Sequence, residues 1–146
     1  MINFQYPEDR EYFANLLANG DVEKLDRDYS DLFDFEHPAI KREKFNKIKK
    51  KILKELIERY GNECQLKIHP DCSNVQKFEP DHIIPLSSNE LNKKLRGMTR
   101  VTSEKVERQS FGSNNMKNMV LACKRCNAFK KHKFIDIAVY EKILSQ

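Results

Sequence analysis

Two short segments that lie far apart in the sequence hold side chains that could do chemistry together. The first contains Asp81 and His82, and the second contains Cys123 and Cys126 followed directly by Asn127. An imidazole can accept a proton near neutral pH, and carboxylate and amide oxygens are ligands for hard divalent ions. The C-x2-C spacing is typical of a zinc knuckle. The two segments therefore offer a base, two oxygen ligands and half of a tetrathiolate site.

The chain has four cysteines, and they bracket the Asp-His pair. Cys64 and Cys72 complete a C-x7-C and C-x2-C set, which predicts a closed tetrahedral zinc site of the structural type. His69 is an alternative to Cys64 as a ligand, because it lies shortly before Cys72. Two disulfides or free buried thiols are the other interpretation, and a reducing compartment favours the metal. We expect a structural zinc ion held by Cys64, Cys72, Cys123 and Cys126.

Asp81 and Asn127 form a second predicted metal site. A carboxylate and an amide oxygen facing each other make a weak, open site suited to Mg²⁺ or Mn²⁺, which keep several waters and bind phosphate. Pro80 indicates a strand end or edge, where the Asp81 side chain can point into a cleft. The zinc knuckle would hold Asn127 at a helix start, and a helix N-cap is its alternative role. A phosphate-containing substrate would complete this site.

The strands that position these residues can be predicted from alternation and branching. The stretch 75–84 alternates and is typical of a strand, and 118–123 predicts a second short strand. Residues 86–117 between them are polar and irregular, with one helix near 88–95. A helix opens at 127–132 after the cysteine knuckle. The order of strand, loop, strand and helix predicts an α+β fold.

The N-terminal quarter of the chain differs from the rest in charge. Residues 1–36 hold three basic and ten acidic side chains, a balance of −7. Their apolar pattern predicts two short helices, one over 8–19 and one that Asp21 caps and that ends near residue 35. We expect 1–36 to be an acidic helical N-terminal arm, either packed on the body or able to compete with a bound polyanion.

A long basic helix is predicted over 38–60, with Pro38 in its first turn and Gly61 as its stop. The apolar residues recur at three- and four-residue steps, which indicates a core-facing stripe. The opposite face is either a solvated surface or a secondary phosphate contact, and its lysines are Lys47, Lys50, Lys51 and Lys54. The body over 37–146 would comprise this helix, a zinc-bound core at about 61–133 and a C-terminal helix at about 134–145.

The formal net charge of +5 divides into −7 over 1–36 and +12 over the remaining 110 residues. A positive body favours a nucleic-acid partner, DNA first and RNA not excluded, although a lysine-rich soluble surface has the same charge. No apolar stretch approaches the roughly 20 residues that span a bilayer, and the N-terminus has no pattern of a signal peptide. The expected localisation is cytoplasmic, without a membrane partner.

The motif Asp-His-Ile-Ile-Pro, which begins at Asp81, is followed by Asn-Met-Val-Leu-Ala-Cys-x-x-Cys-Asn-x-x-Lys, which begins at Asn118. Together they resemble the HNH endonucleases with their ββα-metal motif, in the zinc-stapled subgroup. The resemblance covers roughly residues 61–133 and implies a small ββα-metal core with helical additions at both termini. The first H is His82, the central N is Asn118, and Asn127 replaces the second H, as the family itself allows.

The resemblance also implies roles. His82 would be the general base that takes a proton from the attacking water. Asp81 and Asn127 would hold one divalent ion that neutralises the scissile phosphate. Asn118 would tie the loop between the two strands and orient His82. Family members of this type leave 5′-phosphate and 3′-hydroxyl ends.

Basic residues near the knuckle are candidate phosphate contacts, and Lys130 matches the trailing lysine of the family. The candidates are Lys124, Arg125, Lys130 and Lys131. The interval between His82 and Asn118 is long for this motif and is a candidate recognition loop. Its basic residues are either DNA contacts or solvated side chains, namely Arg96, Arg100, Lys105 and Arg108. Within the same interval, Asn114 and Asn115 compete for the place of the central asparagine, but their position predicts a turn. His37 and His132 are expected at the surface.

The expected protein is a metal-dependent HNH endonuclease with structural Zn²⁺ and catalytic Mg²⁺ or Mn²⁺. One active site cuts one strand, so double-strand cleavage needs a homodimer, a larger nuclease complex or two successive nicks. The alternative is a catalytically inactive, zinc-stapled module that binds nucleic acid or a partner. The joint presence of Asp81, His82 and Asn127 favours the nuclease, because a binding module does not need all three.

Overall fold

The computed structural model describes residues 1–72, 77–97 and 110–130, in which the chain forms five α-helices and a two-stranded sheet. In chain order the elements are α1 (Pro7–Ala18), α2 (Val22–Asp28), α3 (Pro38–Tyr60), β1 (Phe78–His82), α4 (Asn89–Leu95), β2 (Met119–Cys123) and α5 (Lys124–Lys130). The expected C-terminal helix lies outside the described residues, as do Arg100, Lys105, Arg108, Lys131 and His132. None of the described helices has the length and apolar character needed to cross a membrane.

Two short helices begin the chain close to the positions that the periodicity indicates. Pro7 opens α1, where its restricted φ suits the first turn, and Asn19 ends the helix in the left-handed region with φ 52°. Asp21 caps α2 as expected, because its side chain accepts the Lys24 N–H at 3.1 Å. The second helix ends at Asp28, earlier than expected, and one turn of 3₁₀ helix follows at Ser30–Leu32.

Aromatic side chains join the N-terminal segment to the rest of the molecule. The ring of Phe13 in α1 is fully buried, and its centroid lies 5.0 Å from that of Phe33 and 5.2 Å from that of Phe111. Phe4 lies 5.1 Å from Phe33 and 6.3 Å from Phe111. Aromatic pairs at such distances stabilise a core beyond simple area burial. The acidic segment 1–36 therefore shares one apolar core with the chain between the strands.

Helix α3 covers one side of the sheet. Its bounds coincide with the range expected from the apolar stripe, and Gly61 follows it with φ 74°. Ile52 and Leu56 are buried against β2 in a second apolar cluster. Burial of such side chains is worth about 1.5–3 kcal/mol each. The lysines of the outer face are exposed: Lys47, Lys50, Lys51 and Lys54.

The sheet pairs β1 and β2 antiparallel, with Phe78 opposite Cys123 at one end and His82 opposite Met119 at the other. Every residue of β2 is buried, so this strand forms the centre of the molecule. Residues 75 and 76 of the predicted first strand lie outside the described residues. The chain bends after His82, which ends β1 before the predicted limit at residue 84.

Helix α4 lies in the segment between the strands and contacts α1. Ser88 caps it by accepting the Leu91 N–H at 3.1 Å. Just beyond its end, Arg96 pairs with the fully buried carboxylate of Asp9, and its guanidinium lies 4.0 Å from the ring centroid of Tyr6. Arg96 therefore holds α4 to α1 and is not a free cation for DNA. Burial raises the pKa of Asp9, and the charge of Arg96 opposes that rise.

The fold class is α+β: helices surround a small antiparallel sheet, and four cysteines lie close together beside it. The α+β fold class that the sequence predicted is therefore confirmed. Helix α5 follows β2 without a loop, so the described core has the order strand, strand and helix. Cys123 lies at one end of the sheet, and Asp81 and His82 lie at or beside the other end.

Candidate functional site

Four cysteine side chains meet near the end of the sheet where Phe78 pairs with Cys123. Their sulfur atoms all lie within 4.8 Å of one another, and those of Cys72 and Cys123 are 3.9 Å apart. Four thiolates around Zn²⁺ at the usual bond length of about 2.3 Å lie about 3.8 Å apart. The four cysteines therefore fit a structural metal site such as zinc, as their spacing predicted. The set is Cys64, Cys72, Cys123 and Cys126.

The surroundings of the sulfur atoms are compatible with a bound metal ion. All four cysteines are free of disulfides. Burial raises the pKa of the thiols of Cys72 and Cys126, so thiolates here need a cation beside them. Backbone N–H groups of Cys126 and His69 donate to Cys123 Sγ at 3.3 Å and Cys126 Sγ at 3.5 Å. The imidazole of His69, the alternative ligand, instead accepts the Asp71 N–H at 2.9 Å.

The cysteine knuckle forms the junction between β2 and α5. Cys123 is the last residue of the strand, and the helix begins at Lys124, three residues before the predicted start. The reason is the hydrogen bond from the Cys126 N–H to Cys123 Sγ, which closes the first helical turn. Asn127 lies inside this helix, so its alternative role as an N-cap is wrong. Its side-chain amide donates to the Glu79 carboxylate of β1.

Asp81 pairs with a buried lysine of the same helix. Lys130 Nζ lies 2.6 Å from Asp81 Oδ2 and also donates to the backbone carbonyl of His82. The side chains of Lys130 and Asp81 are 9% and 14% exposed. Glu79 and Asp81 are two residues apart on a strand, and Asn127 and Lys130 are three apart on a helix, so each pair lies on one face. Asp81 and Asn127 thus lie on facing elements, each bonded to another partner.

His82 contacts the opposite side of the sheet. Its ring centroid lies 4.7 Å from that of Phe45 in α3, in an edge-on arrangement, and its Nε2 lies 2.9 Å from Asn114 Oδ1. Burial lowers the pKa of His82, while the hydrogen bond to Asn114 and the charge of Asp81 oppose that change. The half-buried imidazole is therefore kept neutral near physiological pH, the form that can accept a proton.

Asp81 and His82 do not face one common cleft. Successive side chains of a strand point to opposite faces, and here Asp81 contacts α5 while His82 contacts α3. The chain bends only after both residues, at Ile83 and Ile84. The end of β1 is the one place common to both residues. A substrate that uses both must therefore lie across this strand end.

Asn118 ties the chain after β1 to the chain before β2. Its side chain is fully buried, with Oδ1 accepting the Ile84 N–H at 2.8 Å. Its Nδ2 donates to the Ile84 carbonyl at 3.0 Å and to the Ser113 carbonyl at 2.8 Å. These hydrogen bonds tie the ends of the loop between the two strands. The contact to His82 comes from Asn114 instead.

Asn114 is the site residue whose role the sequence analysis missed. It lies in a turn as expected, but its side chain reaches an imidazole that is 32 positions earlier in the chain. Alternation and spacing describe neighbours within a strand or helix, and they do not report such a contact. The available signal was the polar cluster Gly112–Asn115 just before a fully apolar strand, which indicates a turn with side-chain hydrogen bonds.

The predicted phosphate contacts have different surroundings. Lys124 and Arg125 are exposed at the start of α5, and Arg125 Nη1 also donates to the Asp71 carbonyl at 3.3 Å. Lys130, in contrast, is buried and bonded to Asp81. Of the predicted phosphate contacts that the structure describes, Lys124 and Arg125 are therefore the exposed ones near the cysteines, and the exposed lysines of α3 form a separate basic surface.

The oxygen atoms of Glu79, Asp81 and Asn127 have the chemistry of a hard-ion site. Carboxylate and amide oxygens are the ligands that Mg²⁺ and Mn²⁺ prefer, and the ammonium of Lys130 already places positive charge beside Asp81. A divalent ion here requires that ammonium to move. It also requires Asn127 to turn its amide oxygen, rather than its NH₂ group, toward the carboxylates. A divalent ion here would therefore compete with both existing contacts.

The chain was compared with models of protein families, with curated proteins and with solved structures, and none of the three comparisons found a match. What the protein does must therefore be inferred from its own residues and their geometry.

Proposed function

We propose that this protein is a metal-dependent endonuclease of the HNH type that hydrolyses phosphodiester bonds of DNA. The observation that carries the proposal is the constellation at the end of β1. A neutral imidazole lies on one side of that strand end, and a carboxylate beside a facing amide lies on the other. A helix that begins at the four-cysteine cluster carries the amide. A module that only binds nucleic acid has no need for a base next to such oxygen ligands.

In the proposed reaction His82 accepts the proton of the attacking water. Asp81 and Asn127, with Glu79 beside them, would hold the divalent ion. When bound, the ion neutralises charge on the scissile phosphate and on the leaving 3′ oxygen. Lys130, released from Asp81, is then free to contact a phosphate oxygen. The products carry 5′-phosphate and 3′-hydroxyl ends.

The charge of the chain supports DNA as the partner. The chain after residue 36 carries a balance of +12, and the lysines of α3 and the first residues of α5 are exposed. Phosphate contacts of this kind make binding strongly dependent on salt. We therefore expect affinity for duplex DNA to fall steeply between low and physiological salt. RNA of the same length serves as the competitor that tests the choice of nucleic acid.

A plasmid-nicking assay with Mg²⁺ or Mn²⁺ tests the function. We expect wild-type protein to convert supercoiled DNA to open circles, and His82→Gln to lower the rate by about 10²- to 10⁴-fold. Asp81→Asn should reduce the activity strongly as well and raise the metal concentration required. His37→Gln is the matched control, because His37 is an exposed imidazole at the start of α3. Equal nicking by wild type and His82→Gln would remove His82 as the base.

One observation favours a second candidate, a non-catalytic module that binds DNA. The ion pair between Asp81 and Lys130 satisfies the carboxylate without a divalent ion, which suits a purely structural role. This candidate predicts DNA binding without strand cleavage under all divalent ions tried. It also predicts that Asp81→Asn changes stability while leaving DNA affinity unchanged.

A further inference from the structure

A chain of hydrogen bonds ends on His82. Asn114 Oδ1 lies 2.9 Å from His82 Nε2, and Nδ2 of the same amide donates to the backbone carbonyl of Lys41 at 2.8 Å. Lys41 belongs to α3, the helix whose Phe45 packs edge-on against the imidazole. Asn114 thus connects the imidazole to the backbone of the helix that also packs against it.

The orientation of this amide decides which imidazole nitrogen carries the proton. A backbone carbonyl only accepts hydrogen bonds, so the group that faces Lys41 must be the NH₂ of Asn114. The amide oxygen then faces His82, and it has no hydrogen to donate. In a neutral imidazole the nitrogen in this bond must therefore be the donor, which is Nε2–H. The lone pair is left on Nδ1.

The turn that carries Asn114 is held closely in place. The fully buried ammonium of Lys41 donates to the Gly112 carbonyl at 2.7 Å, and the Gly112 N–H donates to the Pro85 carbonyl at 3.0 Å. A Cβ atom at Gly112 would lie 2.0 Å from the carbonyl oxygen of Ile84. Only glycine permits the backbone to approach this closely. The amide of Asn114 is therefore set by the fold rather than by a flexible loop.

We propose that Asn114 is a positioning residue that keeps the proton of His82 on Nε2 and so makes Nδ1 the nitrogen that accepts a proton from water. The use of that lone pair rests on the proposed nuclease function, whereas the tautomer does not depend on any reaction. Because Lys41 and Gly112 hold the turn, the imidazole is oriented before substrate binds. Such prior orientation is a recognised source of rate enhancement.

The tautomer is measured directly on protein labelled with ¹⁵N in histidine. Long-range ¹H–¹⁵N correlation spectra separate the protonated nitrogen from the one with the lone pair. They are recorded at about pH 8, where an imidazole with a reference pKa of about 6.5 is neutral. His82→Gln identifies the His82 signals among the four histidines. We expect wild-type His82 to be in the Nε2–H form. A majority Nδ1–H form would overturn the proposal, whether or not the protein cuts DNA.

Asn114→Leu removes the acceptor at nearly constant volume. We expect the Nδ1–H form of His82 to appear in its spectrum, and kcat for plasmid nicking to fall about 10- to 100-fold with KM little changed. Asn115→Ala is the matched control, because Asn115 is exposed and its side chain accepts the Lys117 N–H instead. The control should keep both the wild-type tautomer and the wild-type kcat.

The outcomes separate this proposal from the nuclease function. A folded Asn114→Leu protein with the wild-type tautomer would show that Asn114 does not position His82. A shifted tautomer in a protein whose wild type nicks no DNA would support the positioning role and reject the proposed function. If Asn114→Leu fails to fold, as circular dichroism would reveal, the wild-type spectrum still decides whether Nε2 holds the proton.

Discussion

The two ends of the small sheet are held in place by different kinds of interaction. Where Phe78 pairs with Cys123, four sulfur atoms converge within 4.8 Å and fit a metal ion. Where His82 pairs with Met119, the buried side-chain amide of Asn118 and the buried ammonium of Lys41 bind the backbone of the loops. The first end fits a ligand from outside the chain, whereas the loops at the second end are tied by the chain's own side chains. The scaffold and the candidate chemistry can therefore be perturbed separately.

The largest effect should come from the cysteine end. Cys126→Ser removes one of four thiolates, and structural zinc in small domains is worth about 10 kcal/mol or more. That value is comparable to the whole stability of an ordinary domain, which is about 5–15 kcal/mol. We therefore expect loss of zinc and of the cooperative melting transition. Metal analysis and a circular dichroism melt measure both.

The control for this experiment is wild-type protein treated with a chelator under reducing conditions and then given zinc again. Its transition should disappear and return, whereas Cys126→Ser should not recover. If zinc-free wild-type protein melts at the same temperature as the untreated protein, zinc does not stabilise the cysteine end of the sheet.

The histidine end should respond to Asn118→Ala. The change leaves two groups of Ile84 and the carbonyl of Ser113 without their buried partner, and an unsatisfied buried group costs about 1–3 kcal/mol. We expect a loss on the order of 3 kcal/mol in urea unfolding with zinc content unchanged. Asn115→Ala, at an exposed asparagine, should lose less than about 1 kcal/mol. Equal midpoints for the two variants would show that the buried amide does not hold this end.

Lys41 gives the histidine end a pH signature. Burial lowers the pKa of Lys41 from 10.5 to about 8, so the unfolded chain binds more protons than the native protein between these values. Stability should therefore rise with pH across this window, on the order of 1–3 kcal/mol, and this contribution should be flat below it. Lys41→Met should lack the rise.

The measurement compares urea unfolding of wild type and Lys41→Met from pH 8 upward, because other groups that titrate there cancel in the difference. Parallel pH profiles for the two proteins would mean that Lys41 carries its charge in the native state as readily as in the unfolded chain.

The smallest effect is expected at the surface. Lys117 Nζ lies 3.0 Å from Asp31, but the two side chains are 64% and 51% exposed. Exposed ion pairs contribute at most about 1 kcal/mol, and salt screens them. Lys117→Ala should lower the free energy of unfolding by less than this, and by still less in high salt. An effect as large as that of Asn118→Ala would contradict the ranking of buried over exposed polar contacts.

Local rules predicted most of the helices. Asp21, Pro38 and Gly61 mark helix boundaries through side-chain capping, restricted φ and a positive φ, and each acts on its own neighbours. The early start of α5 was missed because a sulfur atom accepts the Cys126 N–H. A bond of that kind depends on the cysteines coming together in the folded protein. Local sequence patterns do not report such tertiary contacts.

The site residues that belong to a sequence motif could be predicted, whereas the contacts between residues distant in sequence could not. Spacing identified the cysteines, and motif identified Asp81 and His82. The contacts of Asn114 to His82 and of Lys41 to Gly112 cross 32 and 71 positions, so they arise only from tertiary packing. Lys130 looked like a surface cation because lysine is seldom buried without a partner, and its partner lies on a distant strand.

The wide separation of the cysteines along the chain has a consequence for the order of folding events. Cys72 and Cys123 are 51 positions apart, and closing a loop of that length costs about 4 kcal/mol of chain entropy. Contacts between distant positions slow the search for the native state. Thiolates of the unfolded chain that capture zinc early would close this loop before the strands meet. We therefore expect zinc to accelerate the formation of the sheet in refolding experiments, in addition to stabilising it.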